Sequence, residues 1–160
     1  MKVLVAIAQL NLTVGAMAAN AEKIIQAARR AHDRGAHILV TPELSLTGYP
    51  PEDLLLRDAF YTQTNAALEK IIDATHTLAG LHILVGLPVQ REGERFNTCA
   101  VLCEGKVLGS YYKHDLPNYD VFDEQRYFTP DARPLVFSIN GICFGVNICE
   151  DIWFPYAPSA

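Results

Sequence analysis

Three residues with reactive side chains each lie at or just beyond the end of a predicted strand. Glu43 comes after HILVTP, Lys113 after GSYY, and Cys149 after the alternating run FGVNI. Open α/β sheets gather functional groups at the ends of their strands, where loops converge on one crevice. We therefore expect the three side chains to lie at neighbouring strand ends and to face a common cleft.

A carboxylate, an ammonium and a thiol form a workable set for acyl transfer. The thiolate is the nucleophile, and a free thiol with a pKa of about 8.5 needs a base or a cation beside it at neutral pH. In this hypothesis Glu43 takes the proton of Cys149, and Lys113 stabilises the thiolate and then the oxyanion. One well-aimed donor contributes about 3 kcal/mol in the transition state. The alternative for Glu43, an exposed loop carboxylate without function, stays open at this point.

The four cysteines do not form a disulfide or metal pattern. No C-x-x-C is present, and free cysteine behaves as a small apolar residue. We predict that Cys99, Cys103 and Cys143 are core residues, whereas the carboxylates that follow Cys149 set it apart. The five histidines show no ligand spacing, so no metal site is expected.

Composition limits the class of protein. A chain of 160 residues, half of them hydrophobic, is long enough for one domain with a sizeable core. Its net charge of −5 argues against nucleic-acid binding. No apolar run is long enough to cross a membrane, and the N-terminal apolar stretch lacks a signal-peptide cleavage site. We therefore expect a cytoplasmic protein without a membrane or nucleic-acid partner.

The hydrophobic pattern predicts an α/β fold. A mixed sheet, parallel at first and antiparallel later, is expected to carry helices on one face. The predicted elements are a buried strand over 3–10, a helix over 16–34, a strand over 37–43, a helix over 57–78, a strand over 82–89, and antiparallel pairs that turn at 104–106 and 140–141. Two helices leave part of this sheet uncovered, so the chain is expected to be the front part of a longer domain.

Three segments resemble, in order and spacing, the motif blocks of the nitrilase (carbon–nitrogen hydrolase) superfamily: TPELSLTGYPPEDLL, YYKHDLPNYDVFDEQRYF and NICEDIWFP. Members of this superfamily fold as αββα sandwiches. The resemblance implies Glu43 as general base, Lys113 as oxyanion stabiliser and Cys149 as nucleophile. It also implies that Glu124 is a second glutamate that orients the lysine and assists proton transfer.

A narrower resemblance is to the glutaminase domains of the glutamine-dependent NAD synthetase family, through GYPPEDLL, LPNYDVFDEQRYF and CEDIW. It implies that residues 1–160 are a glutamine amidotransferase domain that lacks its C-terminal part. Glutamine would be hydrolysed through a cysteine thioester without a cofactor. The ammonia would serve a synthetase domain that converts deamido-NAD to NAD with ATP and Mg²⁺. No phosphate-binding loop of such a domain is present in the sequence.

The matched motifs also contain aromatic residues. Tyr49, Tyr119 and Trp153 are candidates for the walls of a glutamine pocket, and core packing is the alternative for each. Glu150 and Asp151 are expected to fix the backbone turn at the nucleophile and the neighbouring loops.

Two other functions stay open. One is a stand-alone nitrilase-type amidase that acts on another small amide. The other is a non-catalytic truncated fragment that only assembles with a partner. An uncovered apolar sheet face favours association, so a homo-oligomer is expected.

Overall fold

A five-stranded mixed sheet organises the chain, of which the computed structural model describes residues 2–153. Strands β1 to β3 run parallel to one another, and β3 to β5 are antiparallel. The predicted change from parallel to antiparallel pairing is therefore confirmed. In sheet order the strands are β1 (Val5–Ile7), β2 (Ile38–Val40), β3 (His82–Arg91), β4 (Glu94–Cys103) and β5 (Lys106–Tyr112).

Two helices, α1 (Met17–Asp33) and α2 (Asp58–Thr75), pack against each other and cover one face of the sheet. The buried side of α1 carries Ile24, Ile25 and Ala28, as its 3.6-residue periodicity predicts. Gly35 ends the helix with φ +73°, and its backbone N–H donates to His32 O at 2.8 Å. β1, α1 and β2 thus form the predicted βαβ unit.

A two-stranded antiparallel sheet covers part of the opposite face. It consists of β6 (Val136–Ile139) and β7 (Ile142–Gly145). The predicted turn at 140–141 joins them, with both residues at positive φ, the geometry that suits a two-residue hairpin. The layers are therefore helix, sheet, sheet, which is part of the predicted αββα order. A second apolar cluster fills the space between the sheets and contains Cys99, Val101, Tyr111, Val146 and Ile148.

Two predictions of burial are wrong. β1 is not a buried strand, because it forms the edge of the five-stranded sheet and Ile7 is 73% exposed. Cys143 is exposed, because β7 belongs to a small sheet whose outer face no described residue covers. Cys99 is buried as predicted, and Cys103 is half-buried.

The loop that carries Glu43 lies directly on β3, and a glycine makes this close approach possible. A Cβ atom at Gly86 would lie 2.5 Å from the backbone nitrogen of Leu44 and 2.7 Å from the carbonyl oxygen of Pro42. Gly86 also exchanges hydrogen bonds with the loop, because its carbonyl accepts from Leu46 N at 2.9 Å and its N–H donates to Ser45 Oγ at 3.2 Å. The absence of a side chain at Gly86 thus sets the height of Glu43 above the sheet.

We expect Gly86→Ala to destabilise the protein by about 1–3 kcal/mol, because the new methyl group overlaps backbone atoms that have no room to move. Gly109→Ala is a matched control in β5, since its Cβ would meet only the flexible side chain of Leu135. Urea unfolding of the two variants measures the difference. A loss of stability for Gly86→Ala no larger than that for Gly109→Ala would show that the loop of Glu43 can move away from β3 at little cost.

Candidate active site

A buried ammonium joins two carboxylates at the centre of the structure. Lys113 Nζ lies 2.8 Å from Glu43 Oε1 and 2.9 and 2.8 Å from the two carboxylate oxygens of Glu124. The side chain of Lys113 is 0% exposed, and those of Glu43 and Glu124 are 22% and 7% exposed. The structure therefore brings together three of the four residues predicted to be catalytic, and Glu43 is not an isolated surface carboxylate.

Each of the three residues is held by the element that precedes it. Glu43 follows β2 in a tight turn, and Lys113 directly follows β5, where its backbone N–H donates to Asn97 O at 2.8 Å. Glu124 begins a 3-10 turn that extends to Arg126, and its backbone N–H donates to Pro117 O at 3.1 Å. Two strand ends and one ordered turn thus converge on one point.

The charges of this cluster stabilise one another. Burial lowers the pKa of Lys113, but the attraction of Glu43 and Glu124 outweighs it, so the pKa is raised. Burial raises the pKa of Glu124, against the opposing effect of Lys113. Lys113 therefore remains an ammonium, and its three N–H donors all face carboxylate oxygens.

Cys149 lies beside this cluster in a strained backbone conformation. It begins the 3-10 turn Cys149–Ile152 and has φ +51°, a left-handed conformation that costs a residue with a side chain about 1–3 kcal/mol. Cys149 and Glu43 line the same cavity of about 130 Å³ between the two sheets. The fourth predicted catalytic residue therefore shares a cavity with the carboxylate expected to act as its base.

Asp151 holds the turn of Cys149 against the end of β5. Its carboxylate accepts hydrogen bonds from the backbone N–H groups of Ile148, His114 and Asp115 at 3.1, 3.1 and 2.7 Å, and from the hydroxyl of Tyr111 at 2.7 Å. Asp151 is fully buried, so these four donors balance the cost of burying its charge. The predicted structural role of Asp151 is confirmed.

The thiol of Cys149 is not preformed as a thiolate. Burial and the negative charge of Glu43 raise its pKa, and the charge of Lys113 opposes this rise without cancelling it. The two carboxylates of the cluster outnumber its one ammonium, so a thiolate would add to an excess of negative charge. A nucleophilic role of this thiol would therefore need a base, and Glu43 is the carboxylate that lines the same cavity.

The three predicted aromatic residues are exposed at the surface. Tyr49, Tyr119 and Trp153 are 42%, 49% and 66% exposed, so the alternative of core packing does not hold. Tyr49 and Glu124 line a cavity of about 310 Å³, and Tyr119 and Glu150 line one of about 610 Å³. Trp153 follows the turn of Cys149.

Both tyrosine hydroxyl groups are protonated at neutral pH. Burial raises the pKa of Tyr49 to about 12, and a hydrogen bond to Glu150 raises that of Tyr119 to about 12. The hydroxyl of Tyr119 donates to the buried carboxylate of Glu150. Glu150 therefore contacts a predicted pocket residue, a contact that the sequence did not predict.

Asn97 is the residue of this cluster that the sequence did not identify. It lies in β4, is 1% exposed, and its Nδ2 donates to Glu43 Oε1 at 2.6 Å. A buried polar side chain needs a hydrogen-bond partner. The one signal in the sequence was therefore a lone amide within the apolar strand FNTCAVL.

Residues 2–153 contain neither a candidate metal cluster nor a candidate membrane-spanning helix. No group of three or more His, Cys, Asp or Glu side chains in this part of the chain is arranged to hold a metal ion. Within the same residues, no helix combines the length and the apolar character needed to cross a membrane.

Residues 4–160 match the carbon–nitrogen hydrolase family. The chain therefore belongs to this family of enzymes, and its helix–sheet–sheet layers are those of the nitrilase-type fold. The glutamine-dependent NAD(+) synthetase of Thermotoga maritima is 48% identical over 156 residues, which make up 98% of this chain and 27% of that protein. That of Aquifex aeolicus is 46% identical over 93% of this chain and 26% of that protein. The chain thus spans roughly a quarter of the length of these curated relatives.

Solved structures show the same relationship. The glutamine-dependent NAD+ synthetase of Acinetobacter baumannii has a TM-score of 0.84 and 43% identity, over 93% of this chain and 28% of that chain. An amidase from Nesterenkonia sp. has a TM-score of 0.79 and 29% identity, over 94% of this chain and 57% of that chain.

Asp151→Asn is expected to lower the free energy of unfolding by about 3–5 kcal/mol, because an amide nitrogen would face donors that now bond to a charged oxygen. Tyr111→Phe removes only one of the four donors and is expected to cost about 1–3 kcal/mol. Urea unfolding of both variants measures this order. A loss in Asp151→Asn no larger than in Tyr111→Phe would contradict the role of Asp151 as the common acceptor.

Alkylation of Cys149 by iodoacetamide is expected to rise at higher pH than that of a thiol in a short peptide, because its pKa is raised. Glu43→Gln should move this rise to lower pH, since it removes a negative charge, and Lys113→Met should move it to higher pH. Peptide mapping over a pH series measures the rate, with the exposed Cys143 in the same digest as an internal reference. If the alkylation rate of Cys149 rose at the same pH as that of the peptide thiol, or at a lower pH, the thiol would be a preformed thiolate.

Proposed function

We propose that this chain hydrolyses the side-chain amide of glutamine through a thioester on Cys149. The observation that carries this proposal is the buried cluster of Lys113, Glu43 and Glu124 beside a strained cysteine. A buried ammonium with two carboxylates is costly to maintain for stability alone. Its position at strand ends next to a thiol fits acyl transfer.

In the first step Glu43 takes the thiol proton while Cys149 Sγ attacks the amide carbon. The carbonyl oxygen becomes an oxyanion, which the charge of Lys113 stabilises. When this intermediate collapses, the C–N bond breaks and Glu43 returns the proton to the leaving nitrogen. The products are ammonia and a glutamyl thioester on Cys149.

In the second step water replaces the thiol. Glu43 takes a proton from water while the water oxygen attacks the thioester carbon. The C–S bond then breaks, the sulfur regains a proton from Glu43, and glutamate leaves. Glu124 acts through Lys113, because it accepts two contacts from the ammonium and so keeps Nζ at the site.

Glutamine is the proposed substrate because of the relatives and the chemistry of nearby side chains. The relatives that cover most of this chain are named glutamine-dependent NAD(+) synthetases. Tyr49, Tyr119 and Trp153 would line the approach, and the carboxylate of Glu150 offers an acidic partner for the α-ammonium of an amino acid.

The ammonia would serve the ATP-dependent conversion of deamido-NAD to NAD. In this proposal a synthetase domain outside the 160 residues provides the sites for ATP, Mg²⁺ and deamido-NAD. The glutaminase step itself uses no cofactor, since a thiol, a carboxylate and an ammonium supply the nucleophile, the base and the oxyanion partner.

A simple amidase is the second candidate. The Nesterenkonia sp. structure, which is an amidase, covers 94% of this chain. A variant of the AN1 amidase of that genus shows covalent addition of the acetamide moiety of fluoroacetamide at its active-site cysteine. A thiol at the equivalent turn of this chain would support hydrolysis of small aliphatic amides by the same steps.

An electrophilic diazo-ketone analogue of glutamine tests the proposal. We expect a single adduct on Cys149 by intact mass and peptide mapping, and excess glutamine should suppress it. Cys149→Ser should give no adduct, whereas the exposed Cys143 should remain unmodified in both proteins.

The outcomes separate the two candidates. Protection by acetamide but not by glutamine would favour the simple amidase. Modification of Cys143 and Cys149 at equal rates would show ordinary thiol reactivity and contradict both functions.

A further inference from the structure

Asn97 contacts the ion cluster through both its side chain and its backbone. Its Nδ2 donates to Glu43 Oε1 at 2.6 Å, and its backbone carbonyl accepts from the backbone N–H of Lys113 at 2.8 Å. β4 lies between β3 and β5, and Asn97 faces Pro88 across the β3–β4 ladder. One residue in the interior of the sheet therefore fixes both the carboxylate and the residue that carries the ammonium.

The side-chain amide of Asn97 has one favourable orientation. If the amide were flipped, its carbonyl oxygen would face an oxygen of Glu43, and neither atom has a proton to donate to the other. The Oδ1 atom is buried and accepts no hydrogen bond from the residues described. The side-chain amide also hydrogen-bonds to Glu124 and so lowers the pKa of that carboxyl. The bond to Glu43 and this second bond therefore both hold the amide with its NH₂ group toward the carboxylates.

The bond from Asn97 makes the two oxygens of Glu43 unequal. Within residues 2–153, both hydrogen bonds to this carboxylate end on Oε1, one from Asn97 Nδ2 and one from Lys113 Nζ. The lone pairs of Oε2 stay available, and Glu43 lines the same cavity as Cys149. One oxygen belongs to the ion cluster, and the other is available for proton transfer.

We propose that Asn97 is a positioning residue that commits Oε1 of Glu43 to the ion cluster and so presents Oε2 to the thiol of Cys149. This inference rests on the proposed role of Glu43 as the base. Without the amide, the carboxylate rotates about its terminal bond and both oxygens share the contact with Lys113. Misplacement of a reacting group by about 1 Å lowers a rate by about 100-fold.

A double-mutant cycle tests whether Asn97 acts through Glu43. The saturating single-turnover rate of acylation of Cys149 is followed by intact mass, with glutamine or acetamide, whichever reacts faster. Asn97→Leu should lower this rate about 10- to 100-fold and leave the half-saturating concentration within about twofold. In the Glu43→Gln background the same change should lower the rate less than about twofold.

Two further variants keep the test decisive. Asn97→Ser carries the same prediction if Asn97→Leu does not fold. Thr64→Val is the control for lost stability, because it removes a buried hydroxyl that donates to Phe60 O at 2.8 Å in α2. Its acylation rate should be unchanged in both backgrounds.

The two proposals fail in different ways. Equal losses of rate from Asn97→Leu in both backgrounds would overturn the inference and leave the base intact. A Glu43→Gln variant that acylates at the original rate would overturn the proposed role of Glu43, and the inference with it. No acylation of the unsubstituted chain by either amide would overturn the proposed function itself.

Discussion

The ion pair network of Lys113 is the interaction on which the rest of the site depends. Removal of an ammonium from water costs several kcal/mol, and only close carboxylates offset that cost. Glu43 and Glu124 provide them from positions 70 and 11 residues away along the chain. The turn after β2 and the irregular segment after β5 must therefore both be in place before Lys113 is stable in the interior.

The sheet brings these groups together because its inner strand β4 packs against both neighbouring layers. Successive residues of β4 point to opposite faces, so Ala100 and Leu102 pack under the helices while Cys99 and Val101 pack against the second sheet. Asn97 belongs to the same strand and contacts the ion cluster. The site thus rests on a strand that is buried on both sides.

The sequence was enough to predict the parts of the site that follow strands. Glu43, Lys113 and Cys149 each come at or just beyond the end of a predicted strand, and the structure places Glu43 in contact with Lys113 and in the same cavity as Cys149. Glu124 was inferred only by resemblance, because the segment around it has no regular period. Asn97 was missed because the partner of a buried amide depends on contacts across the fold. The burial of β1 was wrong for a related reason, since an apolar run does not show whether a neighbouring strand covers it.

The left-handed backbone at Cys149 lowers the stability of the protein, but the side chain at this position is needed for the proposed reaction. Glycine adopts this conformation without strain, so a glycine there would relax the turn and remove the sulfur. The four hydrogen bonds of Asp151 hold the cysteine in the conformation it would otherwise leave. Selection for a more heat-resistant protein would therefore favour loss of the nucleophile, and only selection for turnover opposes it.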